Sequence, residues 1–124
     1  MEYRTEVFNQ INNPNYTYYK LYVDEKCAFD EFVEDVSSNV EYIKELKNIY
    51  TYMDYLGRQM LPRKKFNSIK DGKRNDLFEF KTKHLRVYVI LVRPNVYVIA
   101  GGYKNTQDKD VDRFKKRIKG FPEK

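Results

Sequence analysis

Leu77-Phe-Glu-Phe-Lys-Thr-Lys-His-Leu-Arg86, followed by Val87-Tyr-Val-Ile-Leu-Val-Arg-Pro-Asn-Val-Tyr-Val-Ile-Ala-Gly-Gly-Tyr-Lys-Asn-Thr-Gln107, decides how this chain folds. Leu77 to Lys81 reads as a strand with Phe78 and Phe80 on one side. Val87 to Val92 and Val96 to Ala100 are apolar on both sides, the mark of strands covered on both faces. Lys83-His84-Leu85 makes one short turn and Pro94-Asn95 a second. Strands joined by tight turns are antiparallel, so the stretch predicts a three-stranded meander. Gly101-Gly102 loosens the backbone after it, as at a bulge or a close approach to a ligand.

Upstream, Tyr16 to Val23 alternates, with Tyr19, Leu21 and Val23 on one side, and predicts a strand with one face toward a core. Asn12-Asn13-Pro14-Asn15 before it is a turn, and residues 1–14 carry little signal. Asp24 is a fair N-cap for a helix whose stripe is Phe29, Phe32, Val33 and Val36. Ser38 with Glu41 has the capping-box spacing for a second helix, striped by Val40, Ile43, Leu46 and Met53 and stopped near Gly57. The break at Ser37-Ser38-Asn39 predicts a helical hairpin. Ile69 adds a short strand at most. Downstream, Thr106 or Asp108 caps a last helix with Val111, Phe114 and Ile118 inward, ended by Gly120 and Pro122. The order is strand, helix, helix, three strands, helix. It predicts an α+β domain in which helices cover one face of an antiparallel sheet of about four strands.

The chain has 124 residues, enough for one domain with a single core. Cys27 is its only cysteine, so no internal disulfide forms, and a reducing cytosol is the simplest compartment. No apolar leader follows Met1 and no run is long enough to span a bilayer, which points to a soluble protein away from membranes. The net charge of +6 is unevenly spread. Asp24 to Asp54 holds nine acidic and three basic residues, a net of −6. Arg58 to Arg86 holds ten basic and three acidic, a net of +7. A basic half of this kind suits an anionic partner such as nucleic acid, or is simply a solvated face. Arg63, Lys64, Lys65, Lys73 and Arg74 lie in a loop that can track a phosphate backbone.

One His and one Cys cannot make a usual zinc site, and Cys27 has no base nearby in sequence to activate it. Neither a Walker loop nor a dinucleotide fingerprint occurs, so no cofactor is implied. What remains is Lys81, Lys83, His84, Arg86, Tyr103 and Lys104. In an antiparallel meander, the start of the middle strand and the end of the last share one edge, which brings these six residues together. Such a set suits RNA cleavage by 2′-hydroxyl attack. Fixed cations stabilise the pentacovalent transition state, and His84, Tyr103 or a lysine moves the protons. Basic residues at strand ends more often simply meet solvent. Arg86, leading an apolar strand, faces a pocket or a paired carboxylate, with Glu79 its expected partner.

Leu77-Phe78-Glu79-Phe80-Lys81, Arg86 after a short turn, and Gly102-Tyr103-Lys104-Asn105-Thr106-Gln107 resemble the RelE/HigB superfamily of bacterial toxins, in its phage-derived HigB-like branch. Pro62, Phe66 and Ile69 look like that branch's lead-in, and the helical hairpin fits its order. The likeness covers about half of the chain. It implies a RelE-like fold and a ribosome-dependent messenger-RNA endonuclease of a type II toxin–antitoxin pair, held inactive by a cognate antitoxin. Arg86 then falls on the phosphate-binding arginine, Lys104 on the first basic residue after the last strand, and Lys81 where the branch has Arg. Asn105 stands where the family has a second cation, and residues 1–15 are an unmatched extension. A non-catalytic module of the same fold, binding RNA, ribosome or protein, is the alternative.

Overall fold

The computed structural model describes residues 1–122. It is an α+β fold whose elements run β1 (Tyr3–Val7), β2 (Thr17–Val23), α1 (Ala28–Val36), α2 (Val40–Tyr55), β3 (Phe66–Ser68), β4 (Leu77–Lys81), β5 (Leu85–Val92), β6 (Asn95–Tyr103) and α3 (Gln107–Arg117), with a 3₁₀ turn at Lys104–Thr106. The sheet has six strands in the order β1-β2-β6-β5-β4-β3. The expected meander forms its centre: β5 pairs antiparallel with β4 and with β6. The sheet is mixed, however, because β2 joins β6 in parallel, from Thr17 opposite Asn95 to Lys20 opposite Val98. A parallel partner needs a long crossover, and the helical hairpin is part of it.

Two strands go beyond the expected four. β3 is the short strand foreseen near Ile69, displaced to Phe66–Ser68 and paired with β4. β1 arises from a segment with little signal in its residues and pairs with Tyr19–Val23 on the outer edge of β2. Its residues after Tyr3 are exposed, so no alternation of apolar side chains announces it. Phe8 just beyond it is buried against Phe29 and Tyr50.

Helices cover both faces, not one. α1 and α2 pack on one face, over Tyr18, Phe80, Leu85, Val87, Val89 and Val98. α3 packs on the other, where Phe114 and Ile118 meet Leu21, Tyr88, Ile90 and Ile99. The unbroken run Val87–Ile90 follows: each of the first six residues of β5 is buried, alternately on the two faces, with Arg86 the one charged residue among them. β2 is buried on both faces as well, since Tyr18 serves the hairpin core and donates its hydroxyl to Met53 O at 2.7 Å.

The caps differ from the expected residues. Asp24 and Glu25 have positive φ, 51° and 65°, and turn the chain at the end of β2, so α1 starts only after Cys27. α2 is capped by Asn39, whose side chain accepts from Tyr42 N at 3.1 Å; Ser38 bonds back to Asp35 O instead. Gly57 is the stop, at φ +80°. The Asn13 side chain caps that end of α2 from outside, donating to the carbonyls of Met53, Asp54 and Leu56 at 2.8–3.0 Å.

Gly101-Gly102 do not end the strand. β6 runs through them to Tyr103. A Cβ on Gly101 would lie 2.1 Å from the Phe32 ring of α1, and one on Gly102 2.1 Å from an Asp110 oxygen of α3. The bulge lies just before, at Ile99: Tyr88 faces Ala100 and Val89 faces Val98.

Candidate RNA-cleaving cleft

The register divides the expected constellation between the two faces of the sheet. Leu85 pairs with Tyr103 and Arg86 with Gly102, so Arg86 and Tyr103 project to opposite sides. Arg86 points toward α3 and is 7% exposed. Its Nη1 donates to Thr82 O at 2.7 Å and Leu85 O at 2.8 Å, and its Nε to Gln107 Oε1 at 3.3 Å. Glu79, also buried, is not its direct partner. Gln107 stands between them, donating to Glu79 Oε1 at 2.7 Å, and Asn67 donates to Glu79 Oε2 at 3.2 Å. Arg86 therefore ties the β4–β5 turn to the start of α3 and does not line a cleft with Lys104. Lys81, opposite it in register, shares its face and is partly exposed.

The hairpin face carries the other half. Tyr42, His84, Tyr103, Lys104 and Asn105 line a cleft of about 480 Å³. The turn between β4 and β5 delivers His84, and the end of β6 delivers Tyr103 and Lys104. The two segments are joined by a bond from Lys104 N to His84 O at 2.8 Å. Glu45 of α2 organises the turn. It accepts from His84 N at 2.8 Å and from the Thr82 hydroxyl, and meets His84 Nδ1 at 2.6 Å. Desolvation alone would raise the Glu45 pKa, but the bonds from Thr82 and His84 outweigh it and hold the carboxylate below its ordinary range. An ionised Glu45 is an acceptor only, so His84 Nδ1–H donates to it and Nε2 is left outside this pair. The His84 side chain is 45% exposed and Glu45 only 16%, so the imidazole meets solvent with the carboxylate behind it.

Tyr103 is fixed differently. Its hydroxyl donates to Asp35, its ring meets Phe32 edge-on at 5.6 Å, and Tyr42 lies at 5.5 Å. Burial, then the bond to Asp35, push its pKa well above the ordinary tyrosine value. The hydroxyl is tied to Asp35 and the ring forms a wall of the cleft.

The expected RNA-binding residues also separate. Phe66 pairs with Phe80 and Lys81 N donates to Lys65 O at 2.8 Å, so Arg63, Lys64 and Lys65 reach the same end of the sheet as Lys81, Lys83 and Lys104. Arg63, Lys64, Lys83 and Lys104 are exposed, while the Lys65 ammonium lies 5.0 Å from the Tyr52 ring centre. Lys73 and Arg74 belong to the opposite end. Arg74 grips Asp76 through two bonds of 2.9 Å and donates to Ile118 O at 3.1 Å, pinning the β3–β4 loop to the end of α3. Tyr42 and Glu45 complete the cleft without having been singled out in the sequence. Both belong to α2, where a half-buried Tyr and Glu look like any helix surface.

Cys27 is buried and burial raises its thiol pKa. Among the described residues, no helix is long and apolar enough to cross a membrane. No family model, curated protein or solved structure matches the chain.

Proposed function

We propose that this chain is a metal-independent endoribonuclease of the RelE/HigB kind, the toxin of a type II pair that acts on messenger RNA at the ribosome. The observation that carries the reading is His84, oriented by Glu45 and set beside Lys104 at the basic end of the sheet. The order β2-α1-α2-β4-β5-β6-α3, with the likeness around Leu77–Lys81 and Gly102–Gln107, supports the family assignment. His84 Nε2 takes the 2′-hydroxyl proton and O2′ bonds to phosphorus. The Lys104 ammonium stabilises the charge on the non-bridging oxygens. The bond from phosphorus to the 5′-oxygen breaks, and that oxygen takes a proton from solvent. The products are a 2′,3′-cyclic phosphate and a 5′-hydroxyl. Arg86 acts through the turn that carries His84, not on the phosphate. The antitoxin would be an acidic segment laid over the basic end.

The test is cleavage of RNA by the purified protein, on ribosomes in magnesium buffer and on free RNA in a chelator. His84→Gln should lower the rate at least about 100-fold with the fold retained, and a DNA oligonucleotide of the same sequence should stay intact. Uncut transcripts and normal growth during expression of folded protein would refute the nuclease. The sealed Arg86 and Asn105 in place of a second cation favour one rival, an RNA-binding module that does not cut. It predicts equal RNA affinity for wild type and His84→Gln with no products from either.

A further inference from the structure

We propose that the cleft walled by Tyr42 and Tyr103 is a nucleobase pocket, which takes one unpaired base of single-stranded RNA beside the phosphate held by Lys104. The inference rests on the ribonuclease reading for the position of that phosphate, but not for the pocket itself. Three rings line the cleft. Tyr42 is central, 5.4 Å from the His84 ring and 5.5 Å from Tyr103, inclined by 44° and 42°. They make a trough, not a closed stack, so a ring face is left for a further planar group. Each flanking ring is held from behind. His84 is tied to Glu45, and Tyr103 to Asp35 and Phe32. Little side-chain freedom is then lost on binding.

The rim distinguishes a base from other planar or apolar occupants. Lys104 lines the cleft as an exposed cation, and Lys83, next in sequence to His84, is exposed as well; both suit the phosphates flanking a base. The Asn105 amide offers one donor group and one acceptor at the same mouth, which match the edge of a base. An acyl chain or apolar peptide would leave that amide and the Lys104 ammonium without counterparts. A base stacked within an A-form duplex cannot enter, whereas an unpaired one can be splayed onto aromatic rings. Asn105, where the likeness has a second cation, thus becomes a contact that reads the base.

The probe is a 2′-O-methyl oligonucleotide with a single 2-aminopurine. It cannot be cut by 2′-hydroxyl attack, and its fluorescence is quenched when the base stacks. Wild-type protein should quench it, Tyr42→Phe should quench equally, and Tyr42→Ala should lose the quenching and roughly tenfold or more in affinity. Asn105→Ala, at an exposed position, should keep quenching and narrow the differences in affinity among oligonucleotides varied at that base. The annealed duplex should give no quenching. Binding by anisotropy without quenching, or equal quenching by a folded Tyr42→Ala protein, overturns the pocket and leaves the nuclease standing. Quenching without cleavage of unmodified RNA overturns the nuclease and keeps the pocket. No binding of the probe at low salt overturns the pocket outright.

Discussion

Arg86 shows how a residue can be prominent for a reason other than chemistry at a phosphate. Its guanidinium satisfies two carbonyls of the turn and a glutamine that in turn satisfies Glu79. Arg86→Ala should cost about 2–4 kcal/mol in urea unfolding, because buried acceptors lose their donor and Glu79 loses its link. RNA affinity at fixed salt should change little in the fraction that remains folded. A large affinity loss at unchanged stability would restore Arg86 as a phosphate ligand. Glu45 gives a prediction with a sign. Its folded pKa lies below the ordinary 4.5, so the unfolded chain takes up the proton first as pH falls. The stabilisation is complete above the unfolded value and is lost as pH drops through the folded one. Glu45→Gln should therefore lessen the fall in thermal midpoint below about pH 4.5 and slow cleavage at neutral pH by loosening His84. An unchanged acid limb would contradict the role given to this carboxylate.

At the scale of elements, β6 is held in a vice. Phe32 of α1 and Asp110 of α3 press on adjacent residues from opposite faces, and only two hydrogens in place of side chains allow it. Gly101→Ala should destabilise by about 1–3 kcal/mol, since the clash is with an aromatic ring that must move with its helix. Phe32→Leu in the same chain should recover part of the loss, giving a favourable coupling in a double-mutant cycle. Additive losses would mean the helix shifts freely and the vice is not there. The sequence made the glycine pair visible but not its cause, because a gap for a ligand and a gap for a ring leave the same signature. α3 was placed on the wrong face for a related reason. Its stripe shows that one side is buried, and nothing in a stripe names the surface that buries it.

The whole molecule is electrically split: α1 and α2 carry the acidic segment, and cations gather at the end of the sheet formed by Lys65, Lys81, Lys83 and Lys104. If RNA lies across that end, affinity should fall with salt along a log–log slope of about 0.7 per phosphate neutralised on a single strand. Lys64→Glu and Lys83→Glu should each flatten the slope, whereas Lys73→Glu, at the far end, should leave it unchanged. Equal effects from all three would indicate diffuse attraction without a track.

The sequence by itself determined the central meander, the helical hairpin, the last helix and the end of the sheet where the cations collect. Each follows from local periodicity, turn chemistry or charge counting. Only the tertiary structure decided that β2 runs parallel to β6, that β1 closes the edge, and that α3 takes the second face. Pairing partners and sides of a sheet are long-range choices made by packing. The same holds for the site. Alternation carried back from β5 would put His84 and Arg86 on one side, yet His84 precedes the strand, belongs to the turn and follows Glu45 on α2 to the other face. That one hydrogen-bonded carboxylate, 39 residues away, separates a histidine in a cleft from an arginine in the core.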